Sequence, residues 1–350
     1  MNDIYFSKQS DTNPIPPLPL EDGPAAEQKK RPKKRLLLLK VIFSLFLVFV
    51  IALSASFVYI YNLMRKTDYN EHGNKSNVYV DSRDLMQNEK VINILFIGVD
   101  ARAQNVESRS DSMILFSIDK NNKKIKLTSF MRDTWVVMPE TKQYARLNAA
   151  CTYGGAQYVL DTIEYNFNIR IDNYVLVDFV TFETIVDKLG GIDVEVTPKE
   201  AETMRNEYFF TTQAGESVRL SGEEALWYSR IRYLDSDFMR TLRQRKVITS
   251  IVQKARKTNK LELVDVLNDI LPLVETDLDP MKLTKLAIGS GLMYIRYDIE
   301  QTRIPADGTW KNATKKGQSV LEADIGANQK HLEYFLYTPD AEKETTSDNN

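Results

Sequence analysis

One cysteine and two histidines in 350 residues leave little of the usual equipment for disulfides, zinc or triad catalysis. A lone cysteine cannot close an internal disulfide, and a structural zinc site takes four ligands drawn mainly from Cys and His. His72 lies in a polar stretch and His331 near the C-terminus, neither in company that points to a Ser-His-Asp triad. Neither a Gly-x-x-x-x-Gly-Lys-[Ser/Thr] nor a Gly-x-Gly-x-x-Gly signature is present, so nucleotide cradling by a glycine loop has no support. A general basic surface is missing too. The net charge is −2, and residues 1–40, with eight Lys/Arg against five Asp/Glu, leave −5 for the rest of the chain, which argues against nucleic acid as a partner. Any chemistry falls to carboxylates and arginines. At 43% hydrophobic and 27% charged residues the chain is too apolar for disorder and long enough for one or two packed domains.

The run VIFSLFLVFVIALSASFVYIYNLM over residues 41–64 carries no charge. As a helix it spans roughly 36 Å, enough to cross a bilayer. Seven basic residues between Lys29 and Lys40 precede it, and only Arg65 and Lys66 follow before Asp68 and Glu71. The positive-inside bias predicts a cytoplasmic N-terminus and an extracellular domain, with Tyr59 and Tyr61 at the outer interface. A cleaved signal peptide is the rival, because Ala52-Leu53-Ser54-Ala55 resembles a cleavage site, but the apolar run continues past it and the preceding region is too long. Residues 1–40 read as a disordered tail, proline-rich and then basic. Residues 65–90 read as a polar juxtamembrane linker, 91–338 as the folded domain and 339–350 as a polar C-terminal tail.

From Val91 onward, short apolar runs separated by turn residues predict strands at 91–99, 112–119, 124–130, 174–179, 192–196 and 301–304. Helical spacing predicts helices at 154–167, 180–189, 221–229, 238–257, 262–271, 280–288 and 326–337. Alternating strands and helices predict an α/β sandwich with α-β-α layering. The aliphatic and aromatic runs at 156–182 suit an ordinary core.

Three polar clusters fall at strand ends. Asp100 and Arg102 follow the first strand, Arg109-Ser110-Asp111 precedes the second, and Arg132-Asp133 follows the third. In open α/β sheets, ligands bind in loops outside strand ends. A second set comprises Arg230, Arg232, Asp237 and Arg240. Helical spacing puts Arg240, Arg243 and Gln244 on one face, with Arg245 and Lys246 directed to the surface. Converging arginines without matching carboxylates predict a phosphate-rich anion, which guanidinium forks bind bidentately. Asp100 and Asp111 near such a ligand make a natural Mg²⁺ site, with Mn²⁺ an alternative. Asp133 and Asp237 are candidates either to accept a proton or to buttress an arginine.

The succession Asn93-Ile94-Leu95-Phe96-Ile97-Gly98-Val99-Asp100-Ala101-Arg102, Arg109-Ser110-Asp111, Arg132-Asp133-Thr134, Leu147-Asn148-Ala149-Ala150, Leu189-Gly190-Gly191-Ile192-Asp193 and Tyr228-Ser229-Arg230-Ile231-Arg232 through Asp237-Phe238-Met239-Arg240 resembles the LytR-CpsA-Psr family of Gram-positive bacteria. The resemblance implies an anchored extracellular enzyme that moves a glycopolymer, such as teichoic acid or capsule, from a polyprenyl-pyrophosphate carrier to peptidoglycan through a phosphodiester. It implies Mg²⁺ at Asp100 and Asp111, a pyrophosphate pocket of Arg102, Arg109, Arg132, Arg230, Arg232, Arg240 and Gln244, and an apolar interior for the lipid tail, with the 156–182 runs as a tunnel lining or as ordinary core. With Asp133 and Asp237 as the base or buttress candidates, the expected catalytic set is Arg132, Asp133, Arg230, Arg232 and Asp237. Arg146 stands where the family usually has lysine, and joins the pyrophosphate-binding set. Cys151 takes a position that is often aromatic. A polyprenyl-pyrophosphate hydrolase, with water as acceptor, and a membrane-bound transcriptional attenuator are the alternative activities.

Overall fold

The computed structural model describes residues 33–70, 76–100, 109–232, 234–289, 294 and 296–347. Two compact units divide the chain, Met1–Ala55 and Ser56–Asn350. In the first, the described residues form part of one helix, α1 (Lys33–Met64). Its stretch Ser44–Met64 is long and apolar enough to cross a membrane.

The second unit contains, in chain order, β1 (Asp68–Tyr69), β2 (Val91–Val99), β3 (Ser110–Asp119), β4 (Lys124–Phe130), β5 (Trp135–Val137), β6 (Tyr144–Arg146), α2 (Ala149–Phe167), β7 (Asn173–Asp178), α3 (Phe179–Lys188), β8 (Ile192–Val196), α4 (Pro198–Tyr208) and β9 (Gly215–Leu220). There follow α5 (Gly222–Arg230), α6 (Asp237–Lys257), α7 (Lys260–Ile270), β10 (Glu275–Thr276), α8 (Pro280–Gly289), β11 (Asp298–Ile304), β12 (Trp310–Lys315), β13 (Gln318–Ala323), α9 (Ile325–Tyr337) and α10 (Asp340–Ser347). A mixed seven-stranded sheet runs β1-β10-β7-β2-β3-β4-β11. Its centre is the antiparallel meander β2-β3-β4, flanked by β7 parallel to β2 and β11 parallel to β4.

Strand alternation sorts the sheet's side chains to two faces. Leu95, Ile97, Val99, Met113 and Leu115 point to one face and pack with Val159 and Ile163 of α2 and Leu332 and Leu336 of α9. Ile114, Ile118, Ile125 and Leu127 point to the other and meet Ile248 and Val252 of α6. The result is the α-β-α sandwich. Helix starts follow local chemistry: Asp178 caps α3 by accepting from Thr181 N, Ser221 and Glu224 form a capping box on α5, and Ser236 caps α6.

Several elements depart from the sequence expectation. The helix predicted from 154 begins at Ala149, and non-helical Gly154 and Gly155 kink it, with Gly155 at φ +66°. The 192–196 strand joins β9 in a separate two-stranded sheet. The hairpins β5-β6 and β12-β13, the strand β9 and helix α4 were not anticipated. Residues expected as a juxtamembrane linker are tied to the domain: β1 pairs with β10, Asn70 donates to Tyr174, and Asn77 donates to Glu164 at 2.9 Å. Residues expected as a polar C-terminal tail include α10, whose Asp340 meets Lys124 at 2.7 Å.

Glu164 is buried on α2, accepting from Ile171 N and from Asn77 Nδ2. Burial, reinforced by Asp161, pushes its carboxyl up to about 7 from 4.5. Below 4.5 both states hold the proton. As pH rises toward 7 the unfolded chain releases it first, so the native state binds more protons and stability falls across that window. Glu164→Gln, which cannot ionise, should lose less stability between these limits than the native chain, by on the order of 1 to 3 kcal/mol. Thermal melts at both ends of the window measure the difference, and equal losses would exclude Glu164 as the titrating group.

Candidate active site

The end of β2, the start of β3 and the end of β4 meet at one edge of the sheet because β3 runs antiparallel to both neighbours. Asp100, Asp111, Arg132 and Asp133 therefore come together, although up to 33 positions separate them. Arg132 is the hub. Its Nη1 lies 3.2 Å from Asp111 Oδ1, and its Nε lies 3.7 Å from Asp133 Oδ2 and 3.9 Å from Asp237 Oδ2. Arg146, at the end of the β5-β6 hairpin, approaches Asp133 at 3.6 Å.

The C-terminus of α5 and the N-terminus of α6 close the same edge. Arg230 lies 3.7 Å from Asp100 and is held against the faces of Phe179, 4.1 Å from the ring centroid, and Trp227, 5.3 Å. Arg240 is buried and bonded through both terminal nitrogens to Asp237, at 2.8 and 3.0 Å. Burial, with Arg132 and Arg232 close by, lowers its pKa to about 10 against the opposing pull of Asp237, so it remains a cation at neutral pH. Gln244, one turn on, accepts from Ser112 Oγ at 3.3 Å.

Two spaces open here. A polar cleft of about 500 Å³ is lined by Asp100, Arg109, Asp111, Arg132, Asp133, Arg146, Asn148 and Arg232. An apolar cavity of about 310 Å³ runs between the sheet and α3, α5 and α6, past Phe96, Ile114, Phe179, Phe182, Ile248 and Val252. Asp111, Arg230, Arg232, Arg240 and Gln244 stand at its polar end, and Asp111 and Arg232 line both spaces. Of the 156–182 run proposed as a tunnel lining, only Val177, Asp178, Phe179 and Phe182 face the cavity. Residues of α2 pack in the core on the opposite face of the sheet.

Site residues expected from the sequence are thus gathered, with exceptions. Arg102 lies outside the described residues. Arg243, expected beside Arg240 and Gln244, turns away and is buried against Asp235, Glu200 and the carbonyl of Ile231. Arg245, expected at the surface, is buried, donating to Ser129 Oγ at 2.7 Å and Gln301 Oε1 at 3.2 Å. The reason is that α6 packs on two sides, against the sheet and against the α4-α5 layer, so more of its circumference is covered than a surface helix allows. Cys151 is buried, and burial pushes its thiol up to about 11, an inert group rather than a nucleophile. Sequence reasoning assigned no part to Asn148, Ser112 or the aromatic brace of Arg230. Asn148 sat within a quoted motif, while the brace sets Arg230 against Phe179, 51 positions away, which left no local signal.

Several buried donors and acceptors at this edge make no hydrogen bond: Arg132 Nε, Asp133 Oδ1, Arg146 Nε and Arg240 Nε. Among the described residues no carboxylate lies within ion-pair reach of Arg109 or Arg232. The edge can therefore take an anion with several oxygens. Among the described residues no cluster of three His, Cys, Asp or Glu could hold a metal by itself. Asp100 and Asp111 supply two carboxylates to one polar space, an oxygen-only set that suits a hard cation completed by water and ligand oxygens.

Comparison with known proteins places this architecture. The chain is 33% identical over 244 residues to the polyisoprenyl-teichoic acid–peptidoglycan teichoic acid transferase TagV of Bacillus subtilis, a match covering 66% of this chain and 60% of that one. It is 31% identical over 261 residues to the corresponding transferase TagU of Enterococcus faecalis, covering 72% and 82%. The match thus spans less than two thirds of TagV and about four fifths of TagU. The crystal structure of B. subtilis TagT with bound octaprenyl pyrophosphate lipid has the same fold, with a TM-score of 0.57 at 22% identity, covering 73% of this chain and 95% of that one. The model of the LytR_cpsA_psr family matches residues 55–333, and the chain belongs to that family.

Proposed function

We propose that this chain takes a glycopolymer, a teichoic acid or another wall or capsular polysaccharide, from a polyprenyl-pyrophosphate carrier and joins it to peptidoglycan through a phosphodiester. The observation that carries this is the junction of the two spaces at Asp111 and Arg232. An arginine-rich head opening into an apolar cavity complements a ligand with a diphosphate at one end and an isoprenoid chain at the other. The transferase names of the relatives and the lipid bound to TagT support the same assignment.

Arg230, Arg232 and Arg240 meet the diphosphate from the helix side, and Arg109, Arg132 and Arg146 from the cleft. Planar guanidinium forks match phosphate oxygens in pairs and hold their charge through the reaction. An acceptor sugar hydroxyl attacks the carrier-distal phosphorus. The new P–O bond forms as the bond to the bridging oxygen breaks, and polyprenyl monophosphate leaves with the electron pair. Positioning and fixed positive charge do most of this work. Asp237 is engaged with both terminal nitrogens of Arg240 and positions it, whereas Asp133 keeps one oxygen without a hydrogen bond and is the better placed acceptor for the hydroxyl proton. Asp100 and Asp111 would hold Mg²⁺ or Mn²⁺, which when bound neutralises charge on the diphosphate. The charge bias around α1 favours residues 1–40 in the cytoplasm and the domain outside. That topology separates the domain from DNA and disfavours a transcriptional role.

Arg230→Ala and Arg232→Ala should each weaken binding of a polyprenyl pyrophosphate by roughly 1.5 to 3 kcal/mol, with lysine restoring only part. Both should melt close to the native chain. Arg243→Ala, which strands a buried partner, should cost about 3 to 5 kcal/mol of stability. Melting curves and lipid affinity measured on the same preparations test the split, and native affinity in Arg232→Ala would remove it from the pocket.

Asp100→Asn and Asp111→Asn should abolish divalent-dependent transfer while leaving the fold intact. The assay follows polymer phosphodiester-linked to peptidoglycan, with and without chelator. Transfer indifferent to chelator would remove the metal, and polymer released to water in the presence of peptidoglycan would identify a hydrolase instead.

A further inference from the structure

The apolar cavity is small for a long isoprenoid carrier. About 310 Å³ open to the centres of water-sized groups holds on the order of twenty to thirty such groups, or about four to six isoprene units, at ~10–15 Å³ each. The remainder of a longer chain needs another apolar phase.

The end of α1 indicates where that phase lies. The apolar stretch Ser44–Met64 has 21 residues, about the thickness of a bilayer's hydrocarbon, so its last turn stands at the boundary. That last turn is covered by protein. Leu63 and Met64 are buried against Leu271, with Val264 and Leu267 of α7 and Leu283 of α8 around them. The elements that cover the turn therefore stand at the level of the boundary too. From Leu271 the path to the cavity is short. Leu273, two residues on, is 46% exposed, and its carbonyl accepts from Thr181 Oγ1 at 3.3 Å. Thr181 follows Val180, which is 65% exposed on the first turn of α3, and Phe179 and Phe182 on either side line the cavity. Neither Val180 nor Leu273 lines the cavity, and both side chains are exposed. Lys188 pairs with Asp269 at 2.6 Å beside them, and Glu183, with Asp187 and Glu223 near it, adds acidic groups one turn along α3 from Val180, so the contact with lipid falls to the apolar side chains.

We propose that the edge bearing Val180 and Leu273 rests in the outer-leaflet interface of the lipid bilayer, so that the carrier's isoprenoid chain passes from bilayer to cavity past Phe179 without crossing water. The passage rests on the transferase assignment, but the bilayer contact does not. Such contact scales with buried apolar area and should be insensitive to salt.

The test uses the full chain in nanodiscs of equal parts phosphatidylcholine and phosphatidylglycerol, on a Cys151→Ala background. An environment-sensitive fluorophore is placed on Val180→Cys, Leu273→Cys or Lys311→Cys, the last on the exposed β12-β13 hairpin. Labels at 180 and 273 should be quenched several-fold more than the label at 311 by headgroup-proximal spin-labelled lipid. Equal quenching at the three positions overturns the bilayer contact. In a second arm, Val180→Asp combined with Leu273→Asp should slow transfer from a bilayer-borne long-chain carrier about tenfold while sparing transfer from a short-chain, water-soluble one. Equal loss on both carriers overturns the passage. Absence of transfer by the native chain on either carrier would count against the transferase assignment, and the quenching result would still decide the bilayer contact.

Discussion

Reversal of β3 between β2 and β4 makes the site possible, because it returns the chain to the edge it has just left. Close pairing at that edge needs Gly98. The register slips between Gly98 and Val99, and a Cβ at 98 would lie 3.2 Å from the Cβ of Ser112. Ser112 is held to Gln244 on α6, so a larger residue at 98 would push on the very helix that carries Arg240. The close approach of two strands thus sets the width of the polar end of the cavity, and the arginines inherit their positions from it.

Helix α6 distributes that constraint through the molecule. Over one and a half turns it sends Arg240 and Gln244 into the cavity, Arg243 into a buried network with Asp235 and Glu200, and Arg245 under the β4-β11 pair. The three arginines have the same chemistry and different tasks. Arg243 has two carboxylate partners, buried Glu200 and exposed Asp235, and locks the segment after α5, which carries Arg232, to the helix. Arg245 has neutral partners and ties α6 to the sheet through Ser129, three residues before Arg132. Arg243 and Arg245 are therefore positioning elements for Arg232 and Arg132, the residues to which their contacts lead.

Much of this was legible because the elements are short and strongly patterned. The apolar runs at 91–99 and 124–130 and the capped helix at 237–257 appear almost where their periodicity placed them, and the strand-end clusters landed at one edge because antiparallel hairpins leave no other arrangement. The illegible parts have physical reasons. Helix α4 is mostly polar, so its apolar stripe is weak, although Thr197-Pro198-Lys199-Glu200 carries a capping box that marked its start. Arg245 was misplaced because helical spacing gives a direction around the axis but not which neighbours will cover it. The cavity's walls were misplaced for a similar reason: residues of α2 and of α3 are equally apolar, and only the layer order decides which face a space and which fill a core.

The same fold explains how so many like charges coexist before any ligand arrives. Burial, with Arg132 and Arg232 adding to it, lowers Arg240's hold on its proton, and Asp237 answers them. Most of the remaining contacts at this edge are longer than hydrogen bonds, at 3.6 to 3.9 Å. Carboxylates therefore brace the arginines without saturating them. Tighter pairing would quench the site, and removing the carboxylates would leave buried cations that the core could not tolerate. The stability that permits this partial pairing comes from elsewhere, chiefly the two apolar faces of the sheet. An anion entering such a site replaces long contacts with short ones and meets donors already oriented, so little reorganisation is needed as charge shifts during transfer.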